Sequence, residues 1–244
     1  DIDARRLRCV SDHAFEDDPL RIVRMFRMAA ALGFEYTEEE LHVAKTSVGG
    51  IQALARERIR SELEKIIPVW SPSVAADMHE IGLDIALFGF PVDHSMVRII
   101  TCVNGALFDL FYNHGKSAAL PEWGKAMTFG ARECTVWHTL HQMASFPQQG
   151  SDEAFFAQFH TVHPLYLDEI LLYYTETNNR HTDRVRTIAR HSRRCVDGTR
   201  IAREFGLSGA ALGKVSDALH CIQMLYDTHD PERVVALYRE KLAF

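Results

Sequence analysis

Cysteine is scarce in this 244-residue sequence, and long apolar runs are missing. The cysteines are odd in number and far apart, at Cys9, Cys102, Cys134, Cys195 and Cys221. Such spacing argues against a disulfide framework and against a Cys-x-x-Cys zinc site, so it predicts a reducing compartment, the cytoplasm or another such as the mitochondrial matrix. No apolar run approaches the length of a membrane span, and the first residues lack the basic-then-apolar order of a signal peptide. We therefore expect no membrane partner.

An excess of positive charge is also missing. Lysine and arginine total 27 against 33 acidic residues, which gives a formal net charge of −6. Sequence-independent affinity for nucleic acid comes from neutralising phosphates, so this balance argues against indiscriminate binding. Any RNA contact must come from a local basic patch.

Sustained alternation of apolar and polar residues is absent, which argues against a substantial sheet and predicts an all-α chain. Thr37 followed by three glutamates has the form of a capping box, and Ser71-Pro72 has the form of a helix start. Further helices are expected from Ala55 to Ile67 and, buried, over residues 85–90 and 96–111. The stretch from Pro147 to Ser151 is the best candidate for a linker.

One stretch near the start dominates the pattern. Residues 15–34 predict a single helix, with acids and Pro19 at its first turn and Gly33 as its stop. At about 100° per residue, its apolar positions form a core stripe. The other side carries Asp18, Arg21, Arg24 and Arg27.

The chemistry of that second face is selective. A carboxylate accepts hydrogen bonds and a guanidinium only donates them. Asp18 and Arg21, one turn apart, therefore present an acceptor beside donors, which matches the amine and ring nitrogen of cytosine or adenine and mismatches uracil and guanine. The alternative is a surface helix whose Asp and Arg residues form solvated pairs worth about 0.3–0.5 kcal/mol.

Three motifs in the first 70 residues carry a family resemblance. Asp17-Asp18-x-x-Arg21, continued by Arg24 and Arg27, resembles the Glu-Asp-x-x-Arg templating motif of class II nucleotidyltransferases, the CCA-adding tRNA nucleotidyltransferases and bacterial poly(A) polymerases. Asp17 departs from the pattern, which has Glu there. Upstream, Leu7-Arg8-Cys9-Val10 is similar to the family's segment between head and neck. Downstream, Glu57-Arg58-Ile59-x-x-Glu62-Leu63 is similar to its Glu-Arg-Ile-x-x-Glu-Leu motif. We expect this motif to brace the neck, its acids and bases pairing with one another or with the first helix.

The resemblance implies an elongated multi-helix array with a neck (residues 1–82), a body (83–147) and a tail (148–244). It implies that Asp18, Arg21, Arg24 and Arg27 bind CTP or ATP, and that the RNA partner is a tRNA or another RNA 3′ end. The family's catalytic head, with its Gly-Ser loop and Asp-x-Asp metal pair, has no counterpart here. Asp1-Ile2-Asp3 reads instead as the tail of the connecting segment.

Further expectations follow from the missing head. Mg²⁺ with ATP or CTP is expected only in the head, encoded in a longer parent chain or in a separate one, and this chain alone is predicted to be inactive. The rival hypothesis is a non-catalytic RNA-binding or scaffold protein that lost the head.

A second basic stretch lies between residues 180 and 203. On helices it would form a ridge suited to phosphate contacts, which position RNA without reading its sequence. The candidate RNA-binding residues are Arg180, Arg184, Arg186, Arg190, Arg193 and Arg194. The alternative is a solvated face paired with neighbouring acids.

The thirteen histidines do not predict a metal site. His138/His141 and His160/His163 are isolated pairs, and complete ligand sets are rarer than pairs. His229-Asp230-Pro231 has the form of a helix start, with Asp230 as the cap.

Overall fold

The computed structural model describes residues 2–11, 13–147 and 149–242. Within these ranges the chain is all-α, as predicted: it has helices and no strand, and its one isolated bridge joins Arg6 to Glu35. The chain divides into two compact units, Asp1–His141 and Gln142–Phe244. None of the described helices is long and apolar enough to cross a membrane.

The first unit contains the helices up to α9, several of them joined by short 3-10 turns. They are α1 (Ala14–Asp17), α2 (Leu20–Leu32), α3 (Glu38–Ser47), α4 (Arg56–Ile66), α5 (Pro72–Glu80), α6 (Leu83–Phe88), α7 (Val103–Asn113), α8 (Leu120–Ala126) and α9 (Ala131–Ala144), which runs on into the second unit.

The second unit contains the helices that follow α9. They are α10 (Asp152–Phe159), α11 (Pro164–Glu176), α12 (Thr182–Arg190), α13 (Gly198–Phe205), α14 (Gly209–Leu225) and α15 (Pro231–Leu242). Its core has an aromatic part around Phe146, Phe155 and Phe159 and an aliphatic part that includes Ile201 and Val234.

Helix α2 packs against α4 through its apolar stripe. Ile22, Val23 and Phe26 are fully buried, and so are Ile59 and Leu63 of α4. Each such side chain contributes about 1.5–3 kcal/mol when it leaves water. With α4 held there, its Glu62 also reaches Arg24 and Arg27 of α2.

The prediction of one helix from residue 15 is wrong at its beginning. Helix α1 ends at Asp17 and α2 begins at Leu20. Asp18 between them is extended, with φ −147° and ψ 93°, because the ring of Pro19 disfavours helical backbone in the residue before it. The predicted stop is confirmed: Gly33 ends α2 with a left-handed φ of 64°, which glycine adopts without steric cost.

The other helix predictions are confirmed in part. The capping box of Thr37 and Glu40 is present at the start of α3, and the Ser71 side chain accepts from the Val74 amide at the start of α5. The helix expected over residues 96–111 begins only at Val103, because the preceding run is rich in β-branched residues, which favour extended backbone.

Two sequence predictions fall partly outside the described residues. The predicted linker lies between α9 and α10, and its Gln148 is not among the described residues. The same holds for Asp1 of the Asp1-Ile2-Asp3 segment.

Candidate functional site

A cleft of about 340 Å³ opens beside the N-terminal half of α2. Arg21 and Arg24 line it together with Met25 and Met28, and most of its lining surface is apolar. The rest of its lining is Leu7, Arg8, Cys9, Val10, Ala14, Phe15 and Glu40. Donor groups above an apolar wall suit a planar ligand that carries acceptors or negative charge.

Asp18 lies between α1 and α2, and its side chain is bound by Arg58 of α4. Arg58 Nη2 donates to both carboxylate oxygens of Asp18, at 3.2 Å from Oδ1 and 3.0 Å from Oδ2. The Leu20 amide donates to Oδ1 at 3.3 Å. The Asp18 side chain is only 21% exposed, so its carboxylate has a defined direction.

Arg21 is tied to the turn that precedes its own helix. Its Nη1 donates to the Ala14 carbonyl at 3.2 Å, which leaves the other guanidinium N–H groups for further acceptors. Of the four predicted nucleotide-binding residues, Arg21 and Arg24 therefore share the cleft, while Asp18 contacts Arg58.

Glu62 of α4 gathers the remaining arginines of the motif. Arg24 Nε donates to Glu62 Oε1 at 3.2 Å, and Arg27 Nε forms an ion pair with Oε2 at 2.9 Å. The Glu62 side chain is 5% exposed, and Lys65 approaches the same carboxylate at 3.5 Å. The predicted bracing role of the Glu-Arg-Ile-x-x-Glu-Leu motif is confirmed. Arg58 binds an acid just before α2, and Glu62 binds two arginines of α2.

One residue that lines the cleft was not predicted from the sequence. Glu40 lines the cleft, although the sequence marked it only as part of a capping box. Arg8 and Cys9 reach the cleft because backbone bonds hold their segment, with the Leu7 amide donating to the Glu35 carbonyl at 2.8 Å. That pairing joins residues far apart in sequence, so no local pattern could have revealed it.

The candidate RNA-binding arginines mostly have partners within the second unit. Arg184 donates to Asp152 at 2.7 Å, and Arg190 to Asp227 at 2.5 Å. Arg180 donates to the Phe146 carbonyl at 2.8 Å. The two others with a side-chain partner are Arg186, on Asp183, and Arg194, on Ser216 and Asp217.

Arg193 differs from these five. Its side chain is exposed and has no ion pair in the part of the chain that the structure describes, while its carbonyl accepts from Gln223 at 2.9 Å. Arginines paired with exposed acids still present N–H groups outward. Phosphate binding by this ridge therefore stays a prediction.

His181 sits at the inner side of the same ridge. It is buried, stacked on Phe155, and in contact with Arg180 and Arg184. Burial, followed by the repulsion of these two guanidiniums, lowers the pKa of His181 to about 4. The ring is therefore neutral at pH 7 and packs as part of the core.

Among the residues that the structure describes, the histidines form no metal centre. No group of three or more His, Cys, Asp or Glu side chains is placed to hold an ion within residues 2–11, 13–147 and 149–242. The helix start predicted at His229-Asp230-Pro231 is confirmed, because α15 begins at Pro231 and Asp230 Oδ1 accepts from the Glu232 amide at 2.9 Å.

Sequence comparison finds relatives for part of the chain. No protein-family model matches it. It is 34% identical over 146 residues to the multifunctional CCA proteins of two Neisseria gonorrhoeae strains, a match that covers 52% of this chain and 35% of each relative. The chain thus matches about a third of the length of these curated relatives.

Structure comparison extends the likeness to nearly the whole chain. The CCA-adding enzyme of Bacillus stearothermophilus, solved in complex with CTP, matches 99% of this chain and 68% of its own with a TM-score of 0.69 at 15% identity. The Thermotoga maritima CCA-adding enzyme, solved with tRNA, matches 98% of this chain and 65% of its own with a TM-score of 0.64 at 16% identity. At 15% and 16% sequence identity, these structural similarities establish the fold of the chain.

The three motifs, the sequence match and the fold agree. The resemblance of this chain to the class II nucleotidyltransferase family is confirmed, and its helices have the fold of the CCA-adding enzymes.

Proposed function

We propose that this chain is the nucleotide-selecting and RNA-binding part of an enzyme that adds C, A or both to RNA 3′ ends. The observation that carries the proposal is the placement of Arg21 and Arg24 in one cleft, with Asp18 held just before the helix that bears them. The relatives support it, since two CCA-adding enzymes of the same fold were solved with CTP and with tRNA.

In this proposal Asp18 accepts a hydrogen bond from the exocyclic amine of cytosine or adenine, and Arg21 donates to the adjacent ring nitrogen. Uracil and guanine offer the reverse order at that edge, so each would leave polar groups unpaired. A mispaired buried contact costs about 1–3 kcal/mol. Two such contacts suffice for strong discrimination.

Arg24 and Arg27 play a different part from Asp18 and Arg21. Both are bound to Glu62, so they hold α2 in register with α4. Arg24 also lines the cleft, where its free N–H groups would meet the negative charge of a triphosphate or of the RNA primer.

The chemical step belongs to a head domain in this proposal. Carboxylates of such a head would hold Mg²⁺ ions, whose chemistry would be to make the RNA 3′ hydroxyl a better nucleophile toward the α-phosphate of CTP or ATP. Within the described residues no group of three or more His, Cys, Asp or Glu side chains could hold an ion, and we assign no step on this chain to a metal. This chain binds and orients the base, and its second unit contacts the RNA backbone through the arginine ridge.

The test is nucleotide incorporation by the complete gene product into a tRNA that lacks its 3′-terminal nucleotides. We expect incorporation of CMP, AMP or both, with UMP and GMP strongly disfavoured. A complete gene product that binds tRNA and, with a separately encoded head supplied where one exists, incorporates none of the four nucleotides would refute the proposal in favour of a non-catalytic RNA-binding or scaffold protein.

A further inference from the structure

We propose that the ring of His229 is a stacking platform for an unpaired RNA base, flanked by phosphate contacts of Arg190 and Arg193. This inference rests on the proposed function, because it names the RNA feature that the second unit binds. The observation that carries it is a pair of stacked imidazoles. The exposed His229 lies on the buried His191, with ring centres 4.2 Å apart and ring planes 29° from parallel.

His191, the lower ring of this stack, is held in one orientation. Its Nε2 lies 2.6 Å from Asp227 Oδ1, and its Nδ1 lies 3.2 Å from Gln223 Nε2. Because a carboxylate only accepts and an amide nitrogen only donates, the proton of the ring is on Nε2 and both ring nitrogens are satisfied. The His191 carbonyl also accepts from His220 Nε2 at 2.7 Å. The support beneath His229 is therefore fixed.

The turn that carries His229 joins α14 to α15 and is held by its own hydrogen bonds. Asp227 has a left-handed φ of 45°, which Asp tolerates better than most residues other than glycine. The Thr228 amide donates to the Gln223 carbonyl at 3.1 Å, and the Thr228 hydroxyl accepts from the Asp230 amide at 3.2 Å. A ring on such a backbone offers its outer face to a base with little loss of side-chain freedom on binding.

Positive charge lies beside this platform. Arg190 Nη1 donates to Asp227 Oδ2 at 2.5 Å, so it binds the same carboxylate as His191, and half of the Arg190 side chain is exposed. The Arg193 carbonyl accepts from Gln223 Nε2 at 2.9 Å, which places the Arg193 backbone beside the support of the ring, and Arg193 is exposed. Guanidinium groups next to an aromatic ring are typical of surfaces that bind single-stranded RNA.

The combination of ring and charge favours an unpaired base over a duplex. Inside a duplex each base is covered on both faces by its neighbours, so a protein ring has no face to stack on, and contacts there go to phosphates and sugars. Arg190 and Arg193 alone would supply such contacts. A base in a loop or at an end has a free face, and histidine is one of the side chains on which such bases stack. Every base offers such a face, so the contact selects unpaired structure and not sequence.

The experiment compares His229→Ala, His229→Phe and His42→Ala in the complete gene product. His42 is the control, because it is an exposed histidine on α3 of the first unit. The measured quantities are the dissociation constants for a tRNA and for a fully paired RNA duplex, each over a series of salt concentrations. The melting temperature of each variant is measured alongside.

We expect His229→Ala to weaken tRNA binding by about tenfold. The slope of log K against log salt should stay unchanged, because no phosphate contact is lost. His229→Phe keeps an aromatic ring and should bind tRNA nearly as tightly as the wild type, and so should His42→Ala. All variants should bind the fully paired duplex like the wild type. If His229→Ala does not fold, His229→Asn, which removes the ring and keeps a polar side chain, takes its place.

The inference is overturned if the variant without the ring binds tRNA as tightly as the wild type, if it loses as much affinity for the fully paired duplex, or if His229→Phe binds tRNA as weakly as His229→Ala. Failure of the proposed function has a different signature: the wild-type protein incorporates no nucleotide, a result that the binding measurements do not involve. A wild-type protein that does not bind tRNA at all overturns both.

Discussion

Arg27 Nε lies 2.9 Å from Glu62 Oε2, a carboxylate oxygen that the fold has removed almost completely from water. Arg24 binds the other oxygen of the same carboxylate. Two arginines that the sequence places on a solvent face of α2 are thus turned toward α4 by one buried acid. The three arginines therefore differ in what they contact. Arg21 lines the cleft, Arg27 pairs with the buried Glu62, and Arg24 does both.

The first prediction concerns the stability that Glu62 provides. Glu62→Ala would leave the guanidiniums of Arg24 and Arg27 without their shared partner. We expect a decrease of about 1–3 kcal/mol in the free energy of unfolding, below the range for fully buried pairs because both arginines reach solvent. Glu64→Ala is the control, since Glu64 is 40% exposed and pairs within its own helix, and it should cost at most about 0.5 kcal/mol. Equal decreases in urea denaturation would contradict the assignment.

The second prediction concerns catalysis by the isolated chain. Carboxylate-held metals drive the family reaction, and the resemblance places those carboxylates in the head and not in the neck, body or tail. We expect the purified 244-residue chain to incorporate no CMP or AMP into tRNA with Mg²⁺ present. Incorporation that a chelator abolishes would place the active site within this chain and refute the assignment to a head.

The third prediction separates the roles of Asp18 and Arg21, and it uses the complete gene product. Asp18→Ala removes the acceptor for the base amine, so selectivity against UTP and GTP should relax more than the overall rate falls. Arg21→Ala removes donors, so the use of CTP and ATP should weaken by about 2–3 kcal/mol in kcat/KM. Variants that keep wild-type selectivity and rate and only melt earlier would make the two residues structural.

The fourth prediction concerns the arginine ridge. Replacing Arg190, Arg193 and Arg194 by Ala should weaken tRNA binding and reduce the slope of log K against log salt by about one unit for each phosphate that the ridge no longer neutralises. Arg233→Ala is the control, because Arg233 is exposed on α15, outside the ridge. An unchanged slope in the triple variant would mean that these arginines serve their internal partners, such as Asp227 and Asp217.

The fifth prediction concerns pH. The pKa of His181 is about 4 in the folded chain and about 6.5 when unfolded. Between these values the unfolded chain binds more protons, so stability rises with pH and is fully present above about 6.5. On acidification from pH 7 to 4 we expect stability to fall by about 1–3 kcal/mol. Thermal melts of His181→Gln should show a shallower dependence over that range, and an equally steep one would refute the assignment.

The helical class, many of the helix boundaries and the identity of the motif residues could be predicted from residue type and pattern alone. These features are local: the capping box at Thr37, the stop at Gly33 and the start at Pro231 each depend on residues within one or two turns. The chemistry of Asp18 and Arg21 also follows from residue type alone, because donors and acceptors do not depend on the fold.

The contacts of those residues depend on the folded chain and could not be predicted from the pattern. The fold attached the Asp18 carboxylate to Arg58, drew Arg24 and Arg27 to Glu62, and brought Glu40 and the segment of Arg8 to the cleft. Each of these pairings closes a loop between residues far apart in sequence, and its energy depends on the burial of both partners. Periodicity and residue type specify which face of a helix is polar, and the packing of α2 on α4 selects the partner that each polar group meets.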